Sequence, residues 1–457
     1  CIRDRGRTVP TALAEVQLVG PKDSLPAWEL INLEGEPVRQ IDSEGLERLT
    51  WTWRDLERVP LDVPPAPPFS RGRYLSYSTH PDWGELGSWY ARHVAPRVRT
   101  SRQIEELAGR LTDGVDDRIE RISRIYTYVT NEIRYVGLEF GEHRFRPFSA
   151  DWVLNQGIGD CKDTAALLVA LFDAVDIPAR MVMVRTADLG PVVGEMALLE
   201  VFNHAIAYLP DDDLWLDGTA VGHAILPPPG MDQGATVLVV DGPDSRPQVT
   251  PVAGVGLLQT AVALGEHRDG FVALDVRVEA SGGAADRLRN RFAGSRDQRL
   301  FATWLQNSYP GAELTTEPKY RLVPSRDPAV IELKAVVPRT ALESRGGIAT
   351  YPGTFDLAGR VVPTANRSGP LLVAVRPDFE WTLEVSLGRR PSTETENVSL
   401  AGDFGFLKLS IEPEEKGYRV NGYFHLETGL VEAHRAPELR EFLLEVKRIL
   451  SRPLETP

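Results

Sequence analysis

The spacing of apolar and polar residues divides the first third of the chain into strand-like and helix-like stretches. Short alternating runs such as Ala14–Val19 and Leu46–Trp53 predict antiparallel strands. The proline-rich tract Val59–Pro68 predicts an extended linker. Apolar residues then recur at helical spacing over Trp83–His93 and over Asp116–Ile133.

The stretch Gly157–Val175 predicts a helix that starts with a cysteine. Asp160 is a good N-cap residue, and Asp163 places a second carboxylate near the positive end of the helix dipole. Cys161 is then the first helical residue, where its backbone N–H lacks an intrahelical acceptor and the local field favours a thiolate. It is a candidate nucleophile, and the alternative is a small buried apolar residue without function.

Strand patterns dominate after Ala179. Apolar runs predict strands at residues 181–184, 200–208, 214–216, 236–240, 271–278, 329–337, 371–375, 381–387 and 418–426. Helical patterns interrupt them near Ala284–Asn307 and Pro437–Leu450, and Pro227–Gly230 marks a domain end.

Composition narrows the classes of function. With 51 basic and 65 acidic residues, the net charge of −14 argues against nucleic acid or an anionic membrane as the main partner. The two cysteines, Cys1 and Cys161, cannot form a disulfide framework, and no apolar run reaches the roughly 18 residues that span a bilayer. Since the sequence has no HExxH, paired CxxC or P-loop, it predicts no metal and no cofactor. The start at Cys1 rather than Met suggests a piece of a longer protein.

A cysteine nucleophile needs a histidine base and a group that orients the base. His204 lies in one strand-like run, and Asp217 ends the next. If Leu209–Asp212 forms the turn, the two residues lie directly opposite each other with Cβ atoms about 4.5–5.5 Å apart. A loop one residue longer or shorter would put them in different registers. The alternative is an ordinary strand histidine and a turn carboxylate.

Three motif blocks, Gly159–Asp163, Phe202–His204 and Trp215–Thr219, resemble those of the transglutaminase-like superfamily, which has a papain-like fold. Tyr135–Gly137 and Arg146-Pro147 extend the likeness. The resemblance is closest to bacterial proteins in which this core follows a β-rich domain of unknown function and precedes a β-rich tail.

The resemblance implies Cys161 as nucleophile, His204 as general base and acid, and Asp217 as the orienting partner of His204. It also implies an α+β fold, in which a central transglutaminase-like core is flanked by antiparallel β-rich domains. Gly218 departs from the pattern, since the family more often has proline there, and the departure could loosen the Asp217 loop.

Other residues near the motifs are weaker candidates. Gln156 is predicted as a loop amide that could donate to an oxyanion. Tyr135 and Trp152 could line the site or assist the oxyanion, although core packing is the alternative for both. Lys162 is expected to be solvated, and Asp160 and Asp163 are expected to act in capping rather than in acid–base chemistry.

These observations predict four segments: a β-rich domain that begins before this chain (1–70), a connector with a helix (71–97), the core (98–230) and β-rich C-terminal sandwiches with two helices (231–457).

The predicted function is cofactor-free cysteine acyl transfer on amide bonds of a protein or peptide, through an acyl-enzyme. Water as acceptor makes a peptidase or amidase, and an amine makes a transglutaminase. The alternative is a non-catalytic scaffold that binds partners through its β-rich flanks. The family association favours the bacterial envelope or periplasm.

Overall fold

The computed structural model describes residues 9–59, 62, 72–137, 140–252, 257–266, 270–292, 298–322, 328–343, 348–351, 356–373, 378–392 and 394–454. Most of the predicted linker Val59–Pro68 therefore lies outside the described residues. The helices are α1 (Trp83–Val94), α2 (Arg102–Thr112), α3 (Arg118–Glu132), α4 (Ala150–Gln156), α5 (Cys161–Asp173), α6 (Gly282–Phe292), α7 (Gln298–Ser308), α8 (Arg339–Glu343), α9 (Leu357–Val361) and α10 (Ala436–Leu450).

The strands are β1 (Thr11–Pro21), β2 (Ala27–Ile31), β3 (Val38–Ile41), β4 (Leu46–Leu56), β5 (Tyr74–Ser78), β6 (Arg134–Tyr135), β7 (Ile158–Gly159), β8 (Arg180–Arg185), β9 (His204–Leu209), β10 (Leu214–Leu216), β11 (Thr236–Val239), β12 (Pro247–Val249), β13 (Leu258–Glu266), β14 (Phe271–Ala280), β15 (Glu313–Leu314), β16 (Lys319–Arg321), β17 (Ala329–Pro338), β18 (Ile348–Ala349), β19 (Leu371–Val373), β20 (Asp378–Ser386), β21 (Glu396–Gly402), β22 (Gly405–Glu414), β23 (Gly417–Leu426), β24 (Gly429–Val431) and β25 (Pro453–Leu454). The chain divides into two compact units. The first comprises Cys1–Ala220, Met231–Pro251 and Arg367–Leu372, and the second comprises the remainder.

The first unit is built around α5 and a five-stranded antiparallel sheet with the strand order β10-β9-β8-β11-β12. Helix α5 packs against β8 and β9 on one side and against α2, α3 and α4 on the other. All its residues from Cys161 to Phe172 are therefore buried. The apolar spacing of this helix predicts burial of one face only; small residues such as Ala166 and Ala170 let neighbours approach the remaining faces.

The N-terminal part of the first unit contains two small antiparallel sheets, β1-β4-β3 and β2-β5. Alternating residues of these strands form a separate apolar cluster of Leu18, Leu49, Trp51 and Leu75. This arrangement agrees with the strands predicted from the alternation in the first 53 residues.

The sheet of the core continues beyond residue 230, the C-terminal limit predicted for it. Strand β11 pairs with β8, so that Thr236 lies opposite Arg185, and β12 pairs with β11. Residues 231–251 therefore belong to the first unit. The division into four segments stays a prediction.

The second unit contains a nine-stranded sheet in which β15-β17-β14-β13-β20-β23-β22-β21 are neighbours and β16 also pairs with β17. The pairing is antiparallel except between β13 and β20. The helical pattern predicted over Ala284–Asn307 corresponds to α6 and α7, and residues 293–297 lie outside the described part. The predicted α+β class with antiparallel sheets flanking the core is confirmed. Among the described residues, no helix has the length and apolar character required to cross a membrane.

We expect Gly218→Ala to destabilise the first unit by about 1–3 kcal/mol, because overpacking a filled core forces neighbours to move. A Cβ at Gly218 would lie 2.8 Å from Cβ of Thr164 and 3.2 Å from Cδ1 of Leu168, both on α5. Urea denaturation measures the change. Gly109→Ala is the control: its Cβ would meet nothing within 4 Å, so it should gain about 0.5–1 kcal/mol of helix stability. Equal effects of the two changes would contradict the close packing.

Candidate active site

A tight connection places the cysteine at the start of α5. Helix α4 ends at Gln156, and Gly157 adopts a left-handed φ of +64°. The next two residues form β7, which pairs in parallel with β6 through Arg134 and Tyr135. Asp160 has an extended conformation and occupies the N-cap, so Cys161 is the first helical residue, as predicted.

The charged residues beside Cys161 are buried and compensated. The Asp163 carboxylate accepts hydrogen bonds from the backbone N–H groups of Asp160 (3.1 Å) and Phe148 (2.8 Å). Asp160 forms an ion pair with Lys162, whose side chain is only 6% exposed. The expectation of a solvated Lys162 is therefore wrong. The ammonium group of Lys162 contacts the Asp160 carboxylate, because a buried carboxylate needs a cation.

His204 and Asp217 meet, but in a register that differs from the predicted one. Leu214 pairs with Leu209 and Leu216 with Ala207, so the turn consists of residues 210–213. The predicted opposition of His204 and Asp217 is wrong by two residues, because the four-residue turn lies one residue later in the chain and every pairing shifts by two. Since successive side chains alternate between the faces of a sheet, a shift of two residues leaves both side chains on the same face. They meet diagonally, with Nε2 of His204 3.1 Å from Oδ2 of Asp217.

The surroundings of His204 favour its protonated form. Burial disfavours the imidazolium, but the contacts with Asp217 and Cys161 and the charges of Asp217 and Asp232 outweigh burial and raise the pKa of His204 to about 11. Nε2 of His204 and Oδ2 of Asp217 lie at ion-pair distance. A charged pair therefore fits this site better than a neutral hydrogen bond.

Two hydrogen bonds from Thr219 fix the carboxylate of Asp217. Its Oδ1 accepts hydrogen bonds from the backbone N–H (2.8 Å) and the hydroxyl (2.7 Å) of Thr219. These donors and the His204 contact lower the pKa of Asp217 against the effect of burial. The Gly218 departure does not loosen the loop, because the Thr219 bonds close it and Gly218 packs directly on Thr164.

The thiol of Cys161 lies within hydrogen-bonding reach of the His204 ring. Because Nε2 faces Asp217, the other ring nitrogen, Nδ1, is the one left for the thiol. Cys161 is 9% exposed, so the sulfur lies at the edge of the core. As the first residue of α5, its backbone N–H has no intrahelical acceptor and can bind an anion.

Two further residues of this site were missed from the sequence. Tyr90 of α1 is fully buried, donates its hydroxyl proton to the carbonyl of Phe145 (2.9 Å), and has its pKa raised by burial and by the nearby charges of Cys161, Asp160 and Asp163. Its only sequence signal was a place on an apolar helix face. Asp232 follows a proline-rich turn and carried no motif at all.

Asp232 completes a cluster with His204 and Asp217. One nitrogen or oxygen atom of each residue lies within 4.8 Å of the others, and all three side chains are buried. Such atoms suit a divalent cation in type. Protons can balance the same cluster, since a positive His204 compensates one of the two carboxylates.

The weaker candidates lie around the start of α5. Gln156 is the exposed last residue of α4 rather than a loop residue, because the helix continues until Gly157 caps it. Tyr135 is 54% exposed, so the alternative of core packing is wrong for it: β6 lies at the surface beside β7. Trp152 is half-buried and stacks on Phe148 with ring centroids 4.0 Å apart.

Comparison with known proteins identifies the domain that carries Cys161, His204 and Asp217. Residues 105–217 match the family model of the transglutaminase-like superfamily, so the chain contains a transglutaminase-like domain. No curated protein matches the sequence.

Two solved structures are similar to this chain. A protein from Parabacteroides distasonis, described as a putative protease, is 15% identical; the match covers 98% of this chain and 73% of that one, with a TM-score of 0.65, which shows a shared fold. Another, from Cytophaga hutchinsonii and described as a putative cysteine protease, is 16% identical, and its match covers 47% of this chain and 69% of that one. Its TM-score of 0.23 supports no structural comparison.

We expect Asp217→Asn to lower the pKa of His204 by about one to three units, since the variant loses the opposite charge. Because the wild-type pKa of about 11 exceeds the model-peptide value of 6.5, His204 stabilises the fold fully below pH 6.5 and loses this contribution as the pH rises toward 11. NMR titration of the His204 ring, assigned with His204→Gln, measures the shift. An unchanged titration in Asp217→Asn would contradict the ion pair.

Lys162→Met should destabilise the protein by about 3–5 kcal/mol, because it leaves the Asp160 carboxylate buried without its cation. Urea denaturation measures the loss, and adding Asp160→Asn to the variant should recover most of it. Arg102→Met removes an exposed partner of Glu106 and serves as the control without measurable effect. A similarly small effect of Lys162→Met would show that Lys162 is solvated.

Proposed function

We propose that the transglutaminase-like domain makes this protein a cofactor-free cysteine acyl-transfer enzyme that acts on amide bonds of a protein or peptide. The observation that carries the proposal is the contact of the Cys161 thiol with a buried imidazole that is itself paired with the Asp217 carboxylate. A nucleophile, a proton carrier and an orienting anion are the three parts that thiol catalysis requires.

The charges account for the first chemical step. A protonated His204 beside Cys161 favours the thiolate, which is the nucleophilic form of cysteine. Attack of the sulfur on the amide carbonyl carbon forms a C–S bond and moves the carbonyl π electrons to oxygen. The Cys161 backbone N–H at the positive end of α5 is placed to stabilise that oxyanion.

His204 then supplies the proton that the leaving group needs. As the C–N bond breaks, the ring donates its proton to the amine nitrogen, and an acyl-enzyme remains on Cys161. The neutral ring next accepts a proton from the acceptor, whose oxygen or nitrogen attacks the thioester and releases the thiolate. Water as acceptor gives a peptidase or amidase, and an amine gives a transglutaminase.

We expect iodoacetamide to label Cys161 readily at pH 6, because a protonated His204 lies beside the attacking sulfur. In His204→Gln the pH 6 rate should fall at least tenfold, since the thiol then lacks its cation. His434→Gln, which changes an exposed histidine of the second unit, is the matched control and should label like wild type. Mass spectrometry of the Cys161 peptide separates this label from one on Cys1.

Activity is tested with a peptide mixture, with and without a primary amine such as methylamine. Wild type should cleave peptides or transfer their acyl groups to the amine, and Cys161→Ala should lose about 10³-fold or more of either rate. A Cys161 that labels only at alkaline pH and ignores His204, together with equal turnover by wild type and Cys161→Ala, would indicate a non-catalytic scaffold.

A further inference from the structure

Asp232 is a buried carboxyl group of the first unit that the proposed chemistry does not use. It ends a short 3₁₀ turn, Gly230–Asp232, and its side chain is completely buried. Neither of its carboxyl oxygens receives a hydrogen bond from a described residue. Thr250 donates to the backbone carbonyl of Asp232 and thereby holds the turn, but it does not reach the carboxyl group.

The other acids around the site are compensated, and the contrast is informative. Asp217 accepts from Thr219, Asp163 accepts from two backbone N–H groups, and Oδ2 of Asp160 is paired with Lys162. Asp232, in contrast, lacks a partner on both oxygens among the described residues. An ionised carboxylate buried without a donor costs several kcal/mol, and a second carboxylate nearby adds repulsion. Asp232 therefore needs either a cation or a proton.

The neighbours of Asp232 point to a proton. The titratable groups that bear on it are Asp217 and His204, since its own turn contributes none. Burial and the charge of Asp217 raise the pKa of Asp232 to about 8, and the positive His204 offsets this only in part. His204 already carries the charge that balances Asp217, so the neutral acid satisfies the cluster without a metal ion.

We propose that Asp232 is a positioning residue: as a neutral acid at physiological pH, it donates a hydrogen bond to Asp217 and so limits how strongly Asp217 stabilises the protonated ring of His204. Once protonated, Asp232 has a donor, and Asp217 is the acceptor within reach. The inference rests on the proposed function, because the His204 ring must give up its Nδ1 proton to the leaving amine while Nε2 stays beside Asp217. When Asp232 ionises, it loses the donor and adds negative charge, and both changes hold the proton on His204 more tightly.

Two variants of nearly the same shape separate the donor from packing. Asp232→Asn keeps a donor toward Asp217 and cannot ionise, whereas Asp232→Leu fills a similar volume and has no donor. The first measurement is the urea midpoint of wild type and Asp232→Asn between pH 5 and pH 9. An acid whose folded pKa of about 8 exceeds the reference value of 3.8 destabilises the folded state increasingly as the pH rises between these values.

We expect the stability of Asp232→Asn relative to wild type to increase from pH 5 to pH 8, by up to tenfold in the unfolding constant per pH unit. Above pH 8 the difference should level off. A pH-independent difference would overturn the proposal, because Asp232 would then be ionised in the folded protein. A wild-type midpoint that EDTA lowers, with no effect on Asp232→Asn, would also overturn it by showing a bound cation.

Two measurements test whether Asp232 donates a hydrogen bond to Asp217: the NMR signal of the His204 ring and the rate of turnover. The NMR signal of the His204 Nε2–H should move downfield in Asp232→Leu, as Asp217 binds that proton more tightly, and stay near its wild-type position in Asp232→Asn. Equal shifts in the two variants would overturn the donor role. Neither NMR nor the midpoints require activity, so they decide the inference even if peptide turnover is absent and the proposed function fails.

Where turnover is found, its pH profile gives the last test. Wild-type turnover should fall above about pH 8 as Asp232 ionises, and Asp232→Asn should lack this fall. Asp232→Leu should turn over at least tenfold more slowly at pH 7 while its Cys161 still labels with iodoacetamide, since labelling needs no proton transfer from His204. An alkaline fall that persists unchanged in Asp232→Asn would overturn the proposal.

Discussion

The buried charge pair of His204 and Asp217 is the interaction on which the site depends. Removing two charges from water costs several kcal/mol per ion, and their attraction offsets the cost only when further hydrogen bonds satisfy each partner. Thr219 supplies these bonds to Asp217, and the Cys161 thiol supplies the contact to His204. The same principle explains Lys162 beside Asp160, so the start of α5 is a set of compensated buried charges.

Helix α5 brings this set together because it is enclosed on all sides. The sheet on one side carries His204 at the start of β9, and α2, α3 and α4 cover the other. The distance between thiol and imidazole therefore depends on how closely the helix lies on the sheet. Gly218 sets part of that distance, since a side chain there would collide with Thr164 one turn after Cys161.

The β9-β10 hairpin shows how a site can be predicted through a wrong register. Proximity of His204 and Asp217 was inferred from a turn at Leu209–Asp212, whereas the turn lies at residues 210–213. The predicted pairing was displaced by two residues, and because side chains alternate with a period of two, both stayed on one face. An error of one residue would have separated them. The sheet face on which a side chain lies is therefore predicted more reliably than the residue that lies directly opposite it on the next strand.

The sequence by itself determined the helix that begins at Cys161, because capping by Asp160 and apolar spacing act within a few residues. It also determined the strand that begins at His204 and the strand that Asp217 directly follows, through local alternation and turn residues. Only the tertiary structure decided that Lys162 is buried, that Tyr90 faces the charges near Cys161, and that Asp232 joins the pair. Burial and charge state depend on which distant elements pack against a residue, and no local pattern encodes those neighbours.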